Sequence, residues 1–494
     1  MTVETSHVRA AARGDADTHG HAHEDYGEEI VPLSRRRSLT AMFLIWSTLQ
    51  ASVSVMFTGF LARSQGLSLG QLLLACGVAT VAILLYGIGA ANLGAVTGQT
   101  LALLARTIFG KIGSGVVSVL LIIMGLGWYG FQARFLAQML GGLGTVSNIT
   151  LWAVVFALLM TFNNLFGFRG VSAYARLVAA PILLSWGAYA LIKGLTSVGP
   201  AHMVFASPHV PVTTTVMVIA GVLVGSAAWG NEPDLFRFSK GRPWWNMPAL
   251  VGGYTIGLML FPLAGYLIAE LSTASDLAPF MHYLVDFSFF GVTALTVILV
   301  VVNQFALNDG NLYEAVNAFQ NIVERFGSWR RLYSVLILGA AGAVLAATMS
   351  SLEKNFFIVA GISAVFVPCA TTLMAIDVFV LPRVFGIRRP THKVTFWPEA
   401  ANGNWLGLIS LAIGGVLGAY TGGLIPGIHG FGTMNIGFPA LQAWLASAIS
   451  YVVLVRLVPE RRRARLLGFP RAETPALVEG ADVAPVEVAE GVLA

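Results

Sequence analysis

Charge is scarce in this chain. Only 11% of its 494 residues are Asp, Glu, Lys or Arg, while 56% are hydrophobic. A soluble domain carries about 25% charged residues, so a chain this apolar could not present a water-compatible surface. Cysteine is scarcer still: Cys76 and Cys369 each sit inside an apolar run. That argues against a disulfide framework or a thiolate metal site and leaves both as small core residues. There is no Walker-type phosphate loop, no His/Cys zinc spacing and no G-x-S-x-G elbow. Lacking a nucleotide-binding segment, the chain does not read as an ATP-driven pump. A membrane-embedded enzyme would need a metal or nucleophile constellation at depth, and a channel would need acidic rings or a filter-like loop. The formal charge of +5 is not gathered into an aromatic-interleaved patch, so nucleic acid is not an expected partner. The polar N-terminus and long first apolar run do not make a cleavable signal peptide.

What the chain does have is a succession of apolar runs over residues 39–457. Twelve spans of about 17–28 residues fit the length a bilayer core of about 30 Å demands. They are expected at 39–62, 70–93, 113–141, 150–166, 171–192, 213–229, 247–271, 289–316, 332–349, 355–382, 404–421 and 438–457. The fold class is therefore an all-α polytopic membrane protein. Residues 1–34 read as a disordered tail holding His19, His21 and His23, where a solvated segment outweighs a metal buffer. The transporter domain runs over 35–458 and a second tail over 459–494. With the N-terminus cytoplasmic behind Arg35-Arg36-Arg37, the inner loops collect Arg106, Lys111, Arg169, Arg237, Lys240 and Arg325, with further basic residues at 383–393 and beyond 456. The outer loops keep only Arg63, Lys193 and Lys354. That obeys the positive-inside rule and makes both termini cytoplasmic.

Trp229-Gly230-Asn231-Glu232-Pro233-Asp234 ends the sixth run. Unpaired backbone in hydrocarbon costs several kcal/mol, so a helix break is tolerated only where it lines a cavity. Acids at such a break are a functional-site expectation, and the pattern is that of an interrupted helix in a secondary transporter. The alternative is plain capping: Asn231 as N-cap, Pro233 in the first turn, Glu232 and Asp234 at the positive end of the helix dipole. Weak symmetry sets this break against span 1, whose Ser47–Ser54 stretch is polar but lacks the Gly or Pro of an unwound segment. Repeat one then covers about 39–192, repeat two about 213–382, and two extra helices about 404–457. In span 3, Trp128 and Gln132 share a face, suited either to stacking on a flat ring and bonding its edge or to helix packing. Arg134 needs a partner, with Glu232, Asp234 and Asp309 as candidates. In span 8, Asn303, Gln304, Asn308, Asp309 and Asn311 interrupt an apolar run, as beside a water-filled cavity.

Several motifs carry a family resemblance. They are Ala105-Arg106-Thr107-Ile108-Phe109-Gly110, Gly127-Trp128-Tyr129-Gly130, Pro233-Asp234-Leu235-Phe236-Arg237-Phe238, Asn308-Asp309-Gly310-Asn311-Leu312-Tyr313 and Ala375-Ile376-Asp377-Val378-Phe379. In their order and spacing the chain resembles the nucleobase–cation symporters, the purine/cytosine permease and hydantoin permease group. The resemblance implies a leucine-transporter-like five-plus-five inverted repeat with two further helices, alternating access, no bound cofactor, and a co-transported cation. It implies a site in which Gln50 offers hydrogen bonds, Trp128 and Trp229 stack on the two faces of a planar heterocycle, Gln132 bonds its edge, and Asn303 and Asn308 complete recognition. Sodium-coupled members carry two hydroxyl residues in span 8 where this chain has Ala306 and Leu307. Carbonyls near Trp46 and Leu49 leave a hard cation short of oxygen ligands. The expectation is therefore a proton in preference to sodium, with Glu232 or Asp309 as carrier. An amine-bearing cargo such as a vitamin precursor is the alternative, drawn by Glu232. Substrate identity and oligomeric state are left open.

Overall fold

The computed structural model describes residues 29–199, 203, 215–228, 230, 232–240, 243–289, 291–326, 330–425 and 436–469. Among these the chain is helical, with one isolated bridge pairing Arg37 and Ser239. In chain order the helices are α1 (Leu39–Gln50), α2 (Val53–Ser64), α3 (Leu69–Thr97), α4 (Leu101–Gly142), α5 (Ile149–Asn164) and α6 (Gly167–Ser197). Then come α7 (Met217–Ala227), α8 (Glu232–Phe236), α9 (Met247–Ser272), α10 (Leu277–Phe289), α11 (Thr293–Val323) and α12 (Arg331–Thr348). The last are α13 (Leu352–Val384), α14 (Trp405–Thr421), α15 (Pro439–Leu457) and α16 (Glu460–Leu466).

By length and hydropathy, eight of these helices could each cross a bilayer, nine when α1 and α2 are taken as one bent span. That measure does not reach the expected twelve. Two of the remainder, α5 and α14, are apolar but shorter, and the sixth segment is interrupted after α7.

Span 1 breaks at Ala51–Ser52, with α1 and α2 bent by 44°. No glycine or proline is needed, because the freed groups find partners. Ser52 Oγ accepts from the N–H groups of Ser54 (3.1 Å) and Val55 (3.3 Å). From α11, Asn303 Nδ2 donates to the Ala51 carbonyl (2.7 Å), and Asn303 Oδ1 accepts the Val53 N–H (2.9 Å). One amide thus satisfies both sides of the interruption, which buried backbone requires. In the sixth segment Gly230 takes φ +77°, a conformation that disfavours any side chain. A Cβ there would lie 2.3 Å from Val367 Cγ1 and 2.9 Å from Glu314 Oε1.

Prolines shape the long helices. The backbone N–H just before Pro181, Pro262 and Pro382 reaches back five residues, from Ala180 to Ala175, Phe261 to Ile256 and Leu381 to Ile376. A proline ring clashes with the carbonyl four residues earlier, and a single wide turn opens that space without ending the helix.

Four boundaries differ from expectation. Helix α4 starts at Leu101, not 113. Arg106, expected in a loop, is buried in it, donating to Asn321 Oδ1 (3.0 Å from Nε) and paired with Glu324 (2.5 Å). A kink at Gly110 interrupts α4, and Ala401 and Asn402 accept the N–H groups of Lys111 (2.8 Å) and Ile112 (3.0 Å). Helix α11 runs on to Val323, beyond the expected 316, because Arg106 and other partners satisfy its polar end. The N-terminal tail expected to run to 34 is packed from Val31, which is buried and donates its N–H to the Gly98 carbonyl (3.0 Å). Likewise the tail expected from 459 opens as α16, and the Leu467 carbonyl accepts Arg389 Nη2 (2.8 Å).

Candidate functional site

Helix α11 packs along α4 and reaches both interrupted segments. Its first amide, Asn303, is committed to the span 1 break, and Gln304 Nε2 donates to Asn303 Oδ1 (3.1 Å). One turn on, Asn308 Nδ2 donates to the Tyr129 carbonyl (3.1 Å) and lies 2.9 Å from Met160 Sδ, while its Oδ1 accepts from Asn311 (3.1 Å). Both asparagines expected to recognise substrate therefore hold backbone or neighbouring helices as well. Ala306 and Leu307 are buried beside them and bring no oxygen.

Trp128 is buried on α4. Its indole N–H donates to Ser363 Oγ on α13 (2.7 Å), and its ring meets Phe131 and Phe356 edge-on. Phe57 of α2 lies 5.5 Å from Phe135 and 6.2 Å from Phe356. This aromatic cluster joins α2, α4 and α13 and brings α2 against the face of α4 that carries Gln132, one turn from Phe135. Gln132 is 3% exposed and its Oε1 has no partner. The same holds for Gln50 Nε2, at the end of α1, and for Gln304 Oε1. Three buried amides on α1, α4 and α11 thus leave a polar atom unused. Trp229 and Asn231 lie outside the described residues.

The acids sit elsewhere. Glu232 opens α8 fully buried and accepts from the hydroxyls of Tyr86 on α3 (2.9 Å) and Tyr254 on α9 (3.3 Å). Trp46, buried on α1, packs edge-on to Phe236 and Tyr254, both at 5.4 Å, with Leu49 buried one turn away. Asp234 accepts the Leu101 N–H (2.8 Å) and Asn317 Nδ2 (2.9 Å), tying α8 to α4 and α11. Gly94 allows α3 to meet α8, since a Cβ there would fall 2.2 Å from the Pro233 carbonyl. Asp309 accepts Asn163 Nδ2 from α5 (2.5 Å). Arg134 bonds none of its three acidic candidates. It donates to Thr150 Oγ1 (2.9 Å) from a half-exposed position on the outer face of α4, where a long side chain reaches polar surroundings without a buried counter-charge.

Sequence reasoning missed Tyr86, Tyr254, Asn163, Asn317, Ser363 and Glu314. The first five are ordinary residues until the fold sets them beside an acid or an indole. Glu314 had a signal, an acid inside the expected span 8, which the reading of that span's amides and Asp309 passed over. A separate cavity of about 200 Å³ lies between α3 and α13, with Tyr86, Thr371, Ile376 and Phe379 in its wall. It is remote from Gln132 in sequence and opens past the exposed Leu85. Among the described residues no three His, Cys, Asp or Glu side chains group as a metal site.

The family described as permeases for cytosine/purines, uracil, thiamine and allantoin matches residues 30–388. A cytosine permease of Escherichia coli K12 is 24% identical over 447 residues, 90% of this chain and 97% of that one. In three dimensions the chain is similar to the nucleobase-cation-symport-1 transporter Mhp1 in a closed conformation with bromovinylhydantoin bound. The TM-score is 0.65 at 16% identity, covering 89% of this chain and 99% of that one. A Na+-coupled sialic acid symporter in a substrate-bound outward-open state gives 0.61 at 10% identity, covering 86% and 91%. The interrupted first and sixth segments, the helical transporter architecture and the match over most of its length lead to one conclusion: the chain belongs to the cytosine/purine, uracil, thiamine and allantoin permease family, as a multi-pass membrane transporter and not an enzyme.

Proposed function

We propose that the protein is a secondary active importer of a small planar heterocycle, a nucleobase or a hydantoin-like ring, working by alternating access and cation symport in a plasma membrane with both termini cytoplasmic. The observation that carries this reading is the set of unused amide atoms on Gln50, Gln132 and Gln304, on α1, α4 and α11, where α11 closes the span 1 break and packs along α4. A buried polar atom without a partner costs about 1–3 kcal/mol. The N–H and C=O groups on the edge of a heterocycle are the partners that relieve it. Trp128, one turn from Gln132, offers a ring face, Trp229 the second, and Asn303 and Asn308 hold the surrounding backbone in place. The cytosine and hydantoin relatives support a flat neutral substrate. Glu232 favours it too, because its carboxylate turns to two tyrosine hydroxyls instead of awaiting an amine.

A proton is the favoured coupling ion. The carbonyls near Trp46 and Leu49 gain no side-chain oxygen from Ala306 or Leu307, whereas Glu232 and Asp309 are buried acids able to exchange a proton. The test is uptake into proteoliposomes of cytosine, uracil, allantoin and thiamine under a pH or a sodium gradient. One flat neutral ring accumulates with the pH gradient whether or not sodium is present. Trp128→Ala and Gln132→Ala each lower that uptake about tenfold, the loss expected when roughly 1.4 kcal/mol of contact goes. Accumulation driven by sodium alone overturns the proton assignment, and accumulation of none of the four overturns the substrate class.

A further inference from the structure

The acids around the sixth-segment break differ in one respect. Glu232 has two tyrosine hydroxyls, Asp234 has a backbone N–H and an asparagine amide, and Asp309 has Asn163. Glu314, on α11, is 1% exposed and neither of its carboxyl oxygens has a hydrogen-bond partner. It is aimed at the break, since its Oε1 stands 2.9 Å from where a Cβ on Gly230 would be. The walls on either side are apolar, Val367 of α13 and Leu121 of α4. The charged groups acting on it are Asp234 and Glu232 of α8, both of its own sign. The nearby cations are turned to other partners: Arg237 donates to Tyr313 (2.7 Å), and Arg331 of α12 donates to Asn317 (3.0 Å) and Gln320 (3.2 Å).

We propose that Glu314 is a proton-binding site of the transport cycle, neutral while packed against the Gly230 break and ionised when that break opens to water. An ionised carboxylate without counter-charge or donor is the costliest group to bury, and two neighbouring acids raise the cost. A neutral carboxyl leaves only one hydroxyl unsatisfied. The balance therefore turns on hydration: a proton from water joins the carboxylate when the site is closed, and returns to water on the other side when α8 swings away. Glycine at 230 lets the backbone come close enough for this switch, and α8, a short helix that follows the break, is the element able to move. Glu314 thus joins the carriers considered above, Glu232 and Asp309, as the one with no donor to hold its charged form. The inference rests on the proposed heterocycle–proton symport.

Its test uses the full chain with Glu314→Gln, which mimics the neutral acid. In proteoliposomes, cytosine accumulation driven by a pH gradient falls about tenfold or more in the variant, while cytosine counterflow exchange without a gradient stays within about twofold of the parent. Accumulation equal to the parent overturns the proposal. A second readout is independent of substrate: pH-difference infrared spectra of the purified protein. The carboxylic C=O band of the parent is lost in Glu314→Gln and displaced in Glu314→Asp, so a variant that does not fold leaves the other to decide. Spectra in which both variants keep the parent band overturn the proposal. If the parent itself takes up none of cytosine, uracil, allantoin and thiamine, the heterocycle reading is what fails, and the infrared band still decides Glu314.

Discussion

Asn303 is the residue on which two long-range requirements meet. Its amide donates to Ala51 and accepts from Val53, 250 residues away in sequence. Asn303→Ala leaves a buried carbonyl and a buried N–H unpaired, at about 1–3 kcal/mol each. The expected outcome is a clear drop in the thermal unfolding midpoint of the detergent-purified protein. Asn303→Asp keeps the acceptor for Val53 but turns a carboxylate toward the Ala51 carbonyl, so it should recover none of the loss at neutral pH. A midpoint equal to the parent's in Asn303→Ala would mean that water closes the break as well as the amide does. The same logic separates Asn303 from Gln132. Removing a side chain that already holds the fold costs stability, whereas removing one with an unused atom costs transport.

The helices show which features a local reading can reach. Spans 2, 4, 7, 9, 11 and 12 lie within a few residues of the lengths their apolar runs suggest, because a bilayer fixes length and composition together. The break in the sixth segment was also legible, for Gly230 and Pro233 are local instructions. The break in span 1 was legible only as the polar Ser47–Ser54 stretch that weak symmetry set against it. Its position was not, since neither Ala51 nor Ser52 is a helix breaker and the partner that stabilises them belongs to α11. Arg106 shows the same limit. A guanidinium reads as loop until Asn321 and Glu324 are set beside it. In the proposed site, Trp128, Gln132 and the polar residues of span 8 were visible as polar groups in apolar runs. The tyrosines that hold Glu232 were not, because a tyrosine in a membrane helix usually signals nothing. Gly230→Ala tests the local instruction. A left-handed φ costs a side chain about 1–2 kcal/mol, and the added Cβ would press on Val367 and Glu314. The expected result is protein that loses transport and unfolds at lower temperature. Full activity in Gly230→Ala would show that the turn can relax to a negative φ.

Among the described residues, one end of the bundle is bound mainly by buried charge, and the other by aromatic rings beside the Arg63–Glu270 pair. At the charged end Arg36 donates to the carbonyls of Val31 (3.2 Å) and Ala95 (2.5 Å). Arg106 joins α4 to Asn321 and Glu324, and Arg389 pairs with Asp377 (2.6 Å), which also accepts the Tyr451 hydroxyl (2.6 Å). At the other end lie Phe57, Phe60, Phe131, Phe135, Phe280 and Phe356. The proposed alternating access requires each end to open in turn, so weakening one seal should shift the population toward the conformer open on that side. Arg106 is buried and Glu324 only partly exposed, and breaking a pair of this kind is expected to be worth at least about 1.4 kcal/mol, a tenfold change in population. Ser118 lies behind the pair, accepting Asn321 Nδ2 (2.8 Å) on the buried side of α4. In a background with Cys76 and Cys369 replaced by Ser, a cysteine at Ser118 should react slowly with maleimide. Adding Arg106→Gln should raise its labelling rate about tenfold from the side that the proposed topology makes cytoplasmic. A cysteine replacing Phe135 at the aromatic end should become slower, not faster, to label from the opposite side. Acceleration at both positions would mean that the substitution loosens the bundle as a whole, and the charged network would then be packing and not a gate.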